Sequence, residues 1–451
     1  MAEFRPVPPV PGRSRGPSFR TGLVVFRNRH YRLLWLSSLF SFTGMQMQMV
    51  ARALLAWELT GSFGAVGLIS LSFGLPMLLF SLVGGSLADR FEKRNLTLAS
   101  QLATGALALA SALMLITGTI TIGWLFVLGL GGGTAMALGM PARMPLMVYL
   151  VGPQNLMAAM AMSNAAMNFT RLFGPAAAGA MAAAWNLESV YFTQAALYAV
   201  ACLALLGIPT GLGHSVAPPG TSRPGMWREI GDGLRYVMGD PRLRTLNLMM
   251  FTVAFFVMPY VMLLAGFVQE DLGKGEQEYG ILQSVSGAGA LLASLVIASL
   301  TAFDRKALLQ WASGIVGGLG LVGLAVGSQA FGFAGALVAT LILGLALTAY
   351  QTINGTLTME AARPEFYGRV MSINMLSFSA MPLMAWPLGQ LADLTGARAM
   401  FTGQGILVAA FMLVMAVLQP RHIFGRSPVL SAQDASQPPA PGQQPGPALG
   451  N

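Results

Sequence analysis

Long apolar runs dominate this chain, and short polar segments separate them. The first set of runs lies at about 33–57, 65–88, 96–117, 122–140, 156–184 and 190–208. The second set lies near 245–268, 279–301, 307–327, 331–353, 370–392 and 399–419. Each run is close to the roughly 20 residues that an α-helix needs to cross the hydrocarbon core of a bilayer. The pattern therefore predicts an all-α membrane protein with twelve transmembrane helices.

A polar segment, residues 209–244, divides these helices into two sets of six. It contains proline, glycine and five arginines, together with an amphipathic stretch at 226–238 that we expect to lie on the membrane surface. We therefore predict two six-helix bundles, 33–208 and 245–419, joined by a cytoplasmic linker.

The distribution of Lys and Arg predicts the orientation. With the N-terminus inside, a basic leader (1–32), the loops after even-numbered helices and a tail at 420–451 hold 22 of the 26 basic residues. That count places Arg143 in a loop, because Pro141 is predicted to end helix 4. The positive-inside rule then predicts a multi-pass protein of the cytoplasmic (inner) membrane with both termini in the cytoplasm. The tail is rich in Pro, Gln and Gly and is predicted to be disordered.

Composition excludes several other classes of protein. Hydrophobic residues make up 55% of the 451 positions and charged residues only 10%, far less charge than a soluble enzyme of this size needs. The net charge of +9 follows the predicted topology, so we expect a lipid bilayer rather than nucleic acid as the partner. The single cysteine, Cys202, lies in an apolar run and cannot form an internal disulfide. No catalytic set of nucleophile, base and orienting acid is evident, so we expect no enzyme activity, no cofactor and no metal site.

A charged loop follows the second apolar run. Residues 84–94 read GGSLADRFEKR, with five charged residues in the last six positions. This pattern resembles the loop between helices 2 and 3 of the major facilitator superfamily of secondary transporters. The alternative is an ordinary loop whose charges only fix topology. The resemblance implies the major facilitator fold and a cytoplasmic gate in which Asp89 binds near the start of helix 11. The residues assigned to this loop and gate are Gly85, Asp89, Arg90, Lys93, Arg94, Gly368 and Arg369.

Two arginines fall inside predicted helices, where an ionisable side chain is costly and marks a candidate functional site. Arg52 shares a stripe of helix 1 with Gln48, and Arg171 shares a face of helix 5 with Asn164 and Asn168. Each arginine either contacts substrate between the bundles or forms an outer gate with an acid. The acids considered are Glu58, Glu188 and Asp393. Since both charges are positive, we expect a neutral or anionic substrate.

Helix 10 carries a polar patch of Tyr350, Gln351 and Asn354, which either lines the cavity or joins helices by hydrogen bonds. By contrast, no acidic residue falls near the middle of a predicted span. Coupling to protons is therefore only an implication of the family resemblance. The acids that would have to carry it are Asp89, Glu58 and Glu360.

Helix 5 also contains a small-residue segment with Gly174, Pro175 and Gly179. It resembles the helix 5 motif of drug exporters in the superfamily, although Thr170 stands where that motif has glycine. The resemblance extends over most of 27–420 and is closest to the subgroup of enterobactin exporters and macrolide-efflux proteins. It implies a monomer that exports a small amphipathic molecule by alternating access. The alternatives are an importer of a nutrient or metabolite and a non-transporting membrane sensor on the same fold.

Overall fold

The computed structural model describes residues 23–211, 234–299, 305–363, 366–420 and 423. The helices of the first half are α1 (Arg29–Thr60), α2 (Phe63–Arg90), α3 (Lys93–Ile116), α4 (Ile122–Val151), α5 (Leu156–Ala184) and α6 (Leu187–Leu206). Those of the second half are α7 (Pro241–Asp271), α8 (Glu276–Ser299), α9 and α10 (together Lys306–Ala361), α11 (Tyr367–Thr395) and α12 (Ala397–Leu418). The described part of the chain thus confirms the twelve membrane-length helices that the apolar runs predict.

Helix α7 is interrupted, and α9 and α10 are joined in one continuous segment. Helix α7 consists of Pro241–Phe256, Tyr260–Gly266 and a π-helical turn, Phe267–Asp271. The continuous segment that holds α9 and α10 has non-helical dihedral angles at Gly332, with φ 56° and ψ −137°. Only glycine adopts this conformation at low cost, so the chain reverses there and α10 returns antiparallel to α9.

Polar residues interrupt the apolar runs of two helices of the first half. Eight stretches of the described chain are long and apolar enough to cross a membrane, and one of them contains both α9 and α10. Helices α1 and α5 are not among these stretches, because Ser, Asn, Gln and Arg interrupt their apolar runs. Such helices are best accommodated where they face protein or a cavity rather than lipid.

The helices pack as two six-helix bundles. In the first half, α1 packs on α5 and α6, while α2 and α3 pack on α4. In the second half, α8 and α12 pack on the α9–α10 segment. The halves meet along two helix pairs, α2 with α11 and α5 with α8.

Glycines permit close contact at both pairs. A Cβ on Gly280 of α8 would lie 2.5 Å from the carbonyl oxygen of Pro175 in α5, and one on Gly179 would lie 2.9 Å from Gly280 Cα. A Cβ on Gly67 of α2 would overlap the backbone carbonyl of Ala385 in α11. The small-residue segment of helix 5 therefore lies at the contact between halves.

The prediction for helix 4 is wrong. Helix α4 does not end at Pro141 but continues to Val151, with Pro141 and Pro145 inside it. In a bilayer, neighbouring helices and polar side chains compensate for the hydrogen bonds that proline removes, so proline need not end a helix. Arg143 consequently lies inside the helix and not in a loop.

Other boundaries shift by a few residues. Helix α7 begins at Pro241, inside the predicted linker, because the Asp240 side chain accepts hydrogen bonds from the N–H groups of Arg242 and Leu243 and Pro241 occupies the first turn. Only Phe91 and Glu92 separate α2 from α3, so the charged loop is shorter than predicted. Most of the predicted leader, linker and tail lies outside the described residues.

Candidate functional site

A carboxylate joins the two halves at one end of the molecule. We call this end, which carries the α1–α2 turn, the outer end, following the predicted topology. Asp393 in the last turn of α11 accepts hydrogen bonds from the backbone N–H groups of Phe63 and Gly64, at 2.7 and 2.9 Å, and from Ser62 Oγ at 2.7 Å. The N-terminal N–H groups of a helix lack helical partners and favour a negative charge. Asp393 therefore connects α11 to the start of α2, rather than pairing with an intramembrane arginine.

Apolar rings close the same end. The rings of Trp57 in α1 and Phe63 in α2 lie 4.7 Å apart between centroids. Gly266 of α7 lies against both, since a Cβ at that position would be 2.5 Å from each ring. Trp57 and Phe63 belong to a buried apolar cluster with residues of both halves. The outer end is closed in this structure.

A cavity lies between α1, α2, α7 and α8. The guanidinium of Arg52 stacks over the Phe73 ring, 4.4 Å from its centroid, and its Nη1 has no hydrogen-bond partner among the described residues. Gln48 also lines the cavity. The apolar lining includes Met45, Met49, Ala53, Val66, Ile69, Phe73 and Met262. The predicted stripe of helix 1 thus faces this cavity, and within the described chain no acid pairs with Arg52.

A second pocket lies within the first half and is lined by α1, α2, α3, α4 and α6. Arg143 of α4 enters it. Its Nη2 donates to Ser41 Oγ at 2.7 Å, and its guanidinium lies over the Phe42 ring, 4.8 Å from the centroid. No acidic side chain lines this pocket. Sequence reasoning missed Arg143, and the continuous apolar character around Pro141 and Pro145 is the signal that would have found it.

The polar face of α5 lies away from both pockets. Asn164 and Arg171 are exposed and Asn168 is half-buried, and none of the three lines either pocket. The backbone of Arg171 contacts α8, because a Cβ on Gly287 would be 2.7 Å from the Arg171 carbonyl oxygen. Arg171 therefore lies beside the contact between halves, without an ion pair to any described acid.

The polar patch of α10 is bonded within the second half. Gln310 of α9 donates through Nε2 to Asn354 Oδ1 at 2.7 Å and to Tyr350 Oη at 3.3 Å. All three side chains are buried. Gln351 Nε2 lies 3.8 Å from the sulfur of Met258. The patch joins helices by hydrogen bonds and does not line either pocket.

The basic residues of the charged loop contact neighbouring helices. Arg94 donates through Nε and Nη2 to the carbonyl oxygens of Leu205 and Leu206, both at 3.1 Å, and so caps the end of α6. The ammonium of Lys93 lies 5.5 Å from the centroid of the Tyr149 ring. Arg90 is exposed. The remaining members of the predicted gate lie outside the described side chains; they are Gly85, Asp89, Gly368 and Arg369.

Comparisons with known proteins identify the family. A family model described as transmembrane secretion effector matches residues 20–436. The enterobactin exporter EntS of Escherichia coli is 24% identical, covering 90% of this chain and 96% of its own length. The multidrug efflux pump Tap of Mycobacterium tuberculosis is also 24% identical, with coverage of 89% and 93%. The nucleoside transporter NupG, 14% identical over 86% of this chain and 98% of its own, shares the fold with a TM-score of 0.68. The chain therefore belongs to the transmembrane secretion effector family of the major facilitator superfamily, whose members are transporters and not enzymes.

Proposed function

We propose that this protein exports a small amphipathic molecule across the cytoplasmic membrane by alternating access. The observation that carries the proposal is a cavity with methionines, Gln48 and Arg52 in its lining, located between two bundles whose outer end is closed. A binding site between two bundles that is closed on one side is what alternating access requires. The exporter relatives support export as the direction.

The transport cycle would consist of a rocking motion of two bundles, 33–208 and 245–419, with both termini in the cytoplasm. The glycine contacts of α5 with α8 and of α2 with α11 would act as the pivots, since glycine lets backbones approach closely. The present arrangement would be the inward-facing state. In the outward-facing state, Asp89 would bind near Gly368 and Arg369 and close the cytoplasmic side.

The charge inside the cavity supports an anionic or neutral substrate. Arg52 lies at the cavity without a carboxylate partner in the described chain, and a buried cation is most stable when a ligand or partner compensates its charge. A cationic drug would increase the uncompensated charge. Arg171 would contribute only if the halves moved and brought it toward the cavity.

Glu58 is the acid best suited to couple transport to protons. Helix α1 has 32 residues and is about 48 Å long, so its last turn extends beyond a hydrocarbon core of about 30 Å. Glu58 is exposed there, but residual desolvation at the helix end and the neighbouring carboxylates of Glu276 and Glu188 raise its pKa to about 7. A carboxyl group with this pKa exchanges protons near neutral pH.

Transport in membrane vesicles of known orientation tests the proposal. We expect everted vesicles containing the protein to accumulate enterobactin or carboxyfluorescein, an anionic dye, in preference to ethidium, a cation. Gly280→Ala should abolish this uptake, because its Cβ would lie 2.5 Å from the Pro175 carbonyl oxygen. Gly355→Ala is the matched control, since no atom lies within 4 Å of the added Cβ.

Three results would contradict the proposal. Accumulation in right-side-out vesicles instead of everted ones would indicate an importer. Movement of no compound, with an altered protein partner in Asp89→Asn, would favour a sensor on this fold. Export of the anionic dye that is unchanged by Arg52→Ala and Arg171→Ala would remove the charge argument.

A further inference from the structure

We propose that the pocket around Arg143 binds the charged group of an amphipathic anion, while the apolar body of the same molecule occupies the adjoining methionine-lined cavity. The charged group would be a carboxylate or another planar group with two acceptor oxygens. As a step of transport this inference rests on the proposed function, but the binding can be tested without transport.

The pocket offers hydrogen-bond donors to a ligand mainly through Arg143. Its hydroxyl groups have one hydrogen each, and those hydrogens are already directed at backbone carbonyl oxygens within 2.9 Å. These hydroxyl groups belong to Ser41, Thr97, Ser100 and Thr104. Gln101 also lines the pocket, but its Nε2 donates to the hydroxyl oxygens of Ser37 and Ser41. The donors that remain belong to Arg143, Gln48 and Tyr198. A ligand with acceptor oxygens would satisfy these donors, and only such a ligand can pair with the guanidinium of Arg143.

The charge of Arg143 has no compensating acid in the pocket. Ser41 accepts one of its five N–H groups, and the Phe42 ring faces the guanidinium. These two contacts stabilise a cation only partly, and a cation at membrane depth without a counter-charge is costly. A carboxylate matches the planar guanidinium through two parallel hydrogen bonds and supplies the missing charge.

The two pockets adjoin each other. Met45, Gln48 and Phe73 line both of them, whereas Arg143 lines only the pocket within the first half and Met262 lines only the cavity. Thioether side chains adapt to apolar groups of different shapes. One molecule with a charged end and an apolar body would fit both spaces at once, with its charged end directed into the first half.

Calorimetry on the purified protein in lipid nanodiscs tests this inference with two matched probes, 2-naphthoate and its neutral analogue 2-naphthamide. We expect naphthoate to bind roughly 10- to 100-fold more tightly than naphthamide, as a charge-assisted hydrogen-bonded pair provides. Arg143→Gln should remove that difference and leave naphthamide binding within about twofold, since the apolar contacts persist. Arg305→Gln is the control, because Arg305 is exposed at the start of α9.

The same experiment contains the results that would overturn the inference. These are no binding of naphthoate, equal binding of the two probes, or an equal loss of both in Arg143→Gln. Acetate binding as tightly as naphthoate would show a site for small anions and not for an amphipathic one. Should Arg143→Gln fail to fold, Arg143→Lys decides, because loss of the planar fork must reduce the preference for naphthoate. Binding with the expected preference but without export supports the inference and removes only the proposed function.

Discussion

Removing the Asp393 carboxylate should open the outer end. Asp393 accepts three hydrogen bonds from the start of α2, all between 2.7 and 2.9 Å, and it is the acid of α11 that reaches across the halves there. A hydrogen bond to a charged group contributes about 1.5–3 kcal/mol when buried, and a charge at a helix N-terminus about 0.3–1 kcal/mol. Since Asp393 is exposed and solvent screens it, we expect about 2 kcal/mol for the three contacts together.

That free energy sets the size of the effect. A loss of about 2 kcal/mol in Asp393→Ala lowers the ratio of outer-closed to outer-open molecules by about 30-fold. Asp393→Asn keeps one acceptor oxygen and should lower it by roughly fivefold, or about 1 kcal/mol. The backbone N–H groups left behind can bind water, so the fold itself should remain stable.

Double electron–electron resonance between spin labels at Thr119 and Phe331 measures this ratio. Both positions are exposed near the outer end, one in each half, and the native cysteine Cys202 is buried and inaccessible to the label. The variants should show a population at longer distance that is larger for Ala than for Asn. Glu278→Gln is the control, because Glu278 bonds to the backbone of its own segment at Gly275. An unchanged distance distribution in Asp393→Ala would refute the reasoning.

Three further changes test other parts of the structure. Gly266→Ala should also favour the outer-open population in the same spin-label assay, because its Cβ would be 2.5 Å from two rings, whereas Gly403→Ala, with no atom within 4 Å, should not. Gln310→Ala should lower the free energy of unfolding by about 1–3 kcal/mol, measured by thermal denaturation, since it leaves the buried Asn354 oxygen unsatisfied. Because the pKa of Glu58 is raised to about 7, Glu58→Gln should flatten the pH dependence of transport between about pH 6 and 8, and an unchanged profile would exclude this acid as the proton carrier.

The number and order of the helices could be predicted from the sequence, because about 20 predominantly apolar residues are needed to span a bilayer and the chain contains twelve runs of about that length. The position of Arg143 could not be predicted in this way. In water-soluble proteins, proline usually ends or kinks a helix because it removes a backbone hydrogen bond. Among packed membrane helices, neighbouring helices and polar side chains can satisfy the backbone groups that proline frees, so the helix can continue through it. The candidate site predicted from the sequence therefore lacked Arg143.

Contacts between residues far apart in the sequence could not be predicted either. Helical spacing correctly groups Gln48 with Arg52, since side chains four residues apart share a face. It does not reveal that Gln310, 44 positions before Asn354, bonds to it, or that an acid of α11 bonds to a residue 331 positions earlier. Such contacts depend on how the helices are arranged around one another, which no local pattern contains.

The outer contact also gives a physical meaning to a short repeat in the sequence. The pattern Gly-x-Leu-Ala-Asp occurs at 85–89, near the end of α2, and again at 389–393, near the end of α11. In the second copy, Gly389 lets α11 approach the backbone of Phe63, where a Cβ would overlap, and Asp393 then reaches the N–H groups that begin α2. Family resemblance predicts the reciprocal contact at the inner end, from Asp89 to the start of α11. Because the same two helices would be joined at opposite ends, closing one contact would separate the other, and alternating access requires such an exclusion.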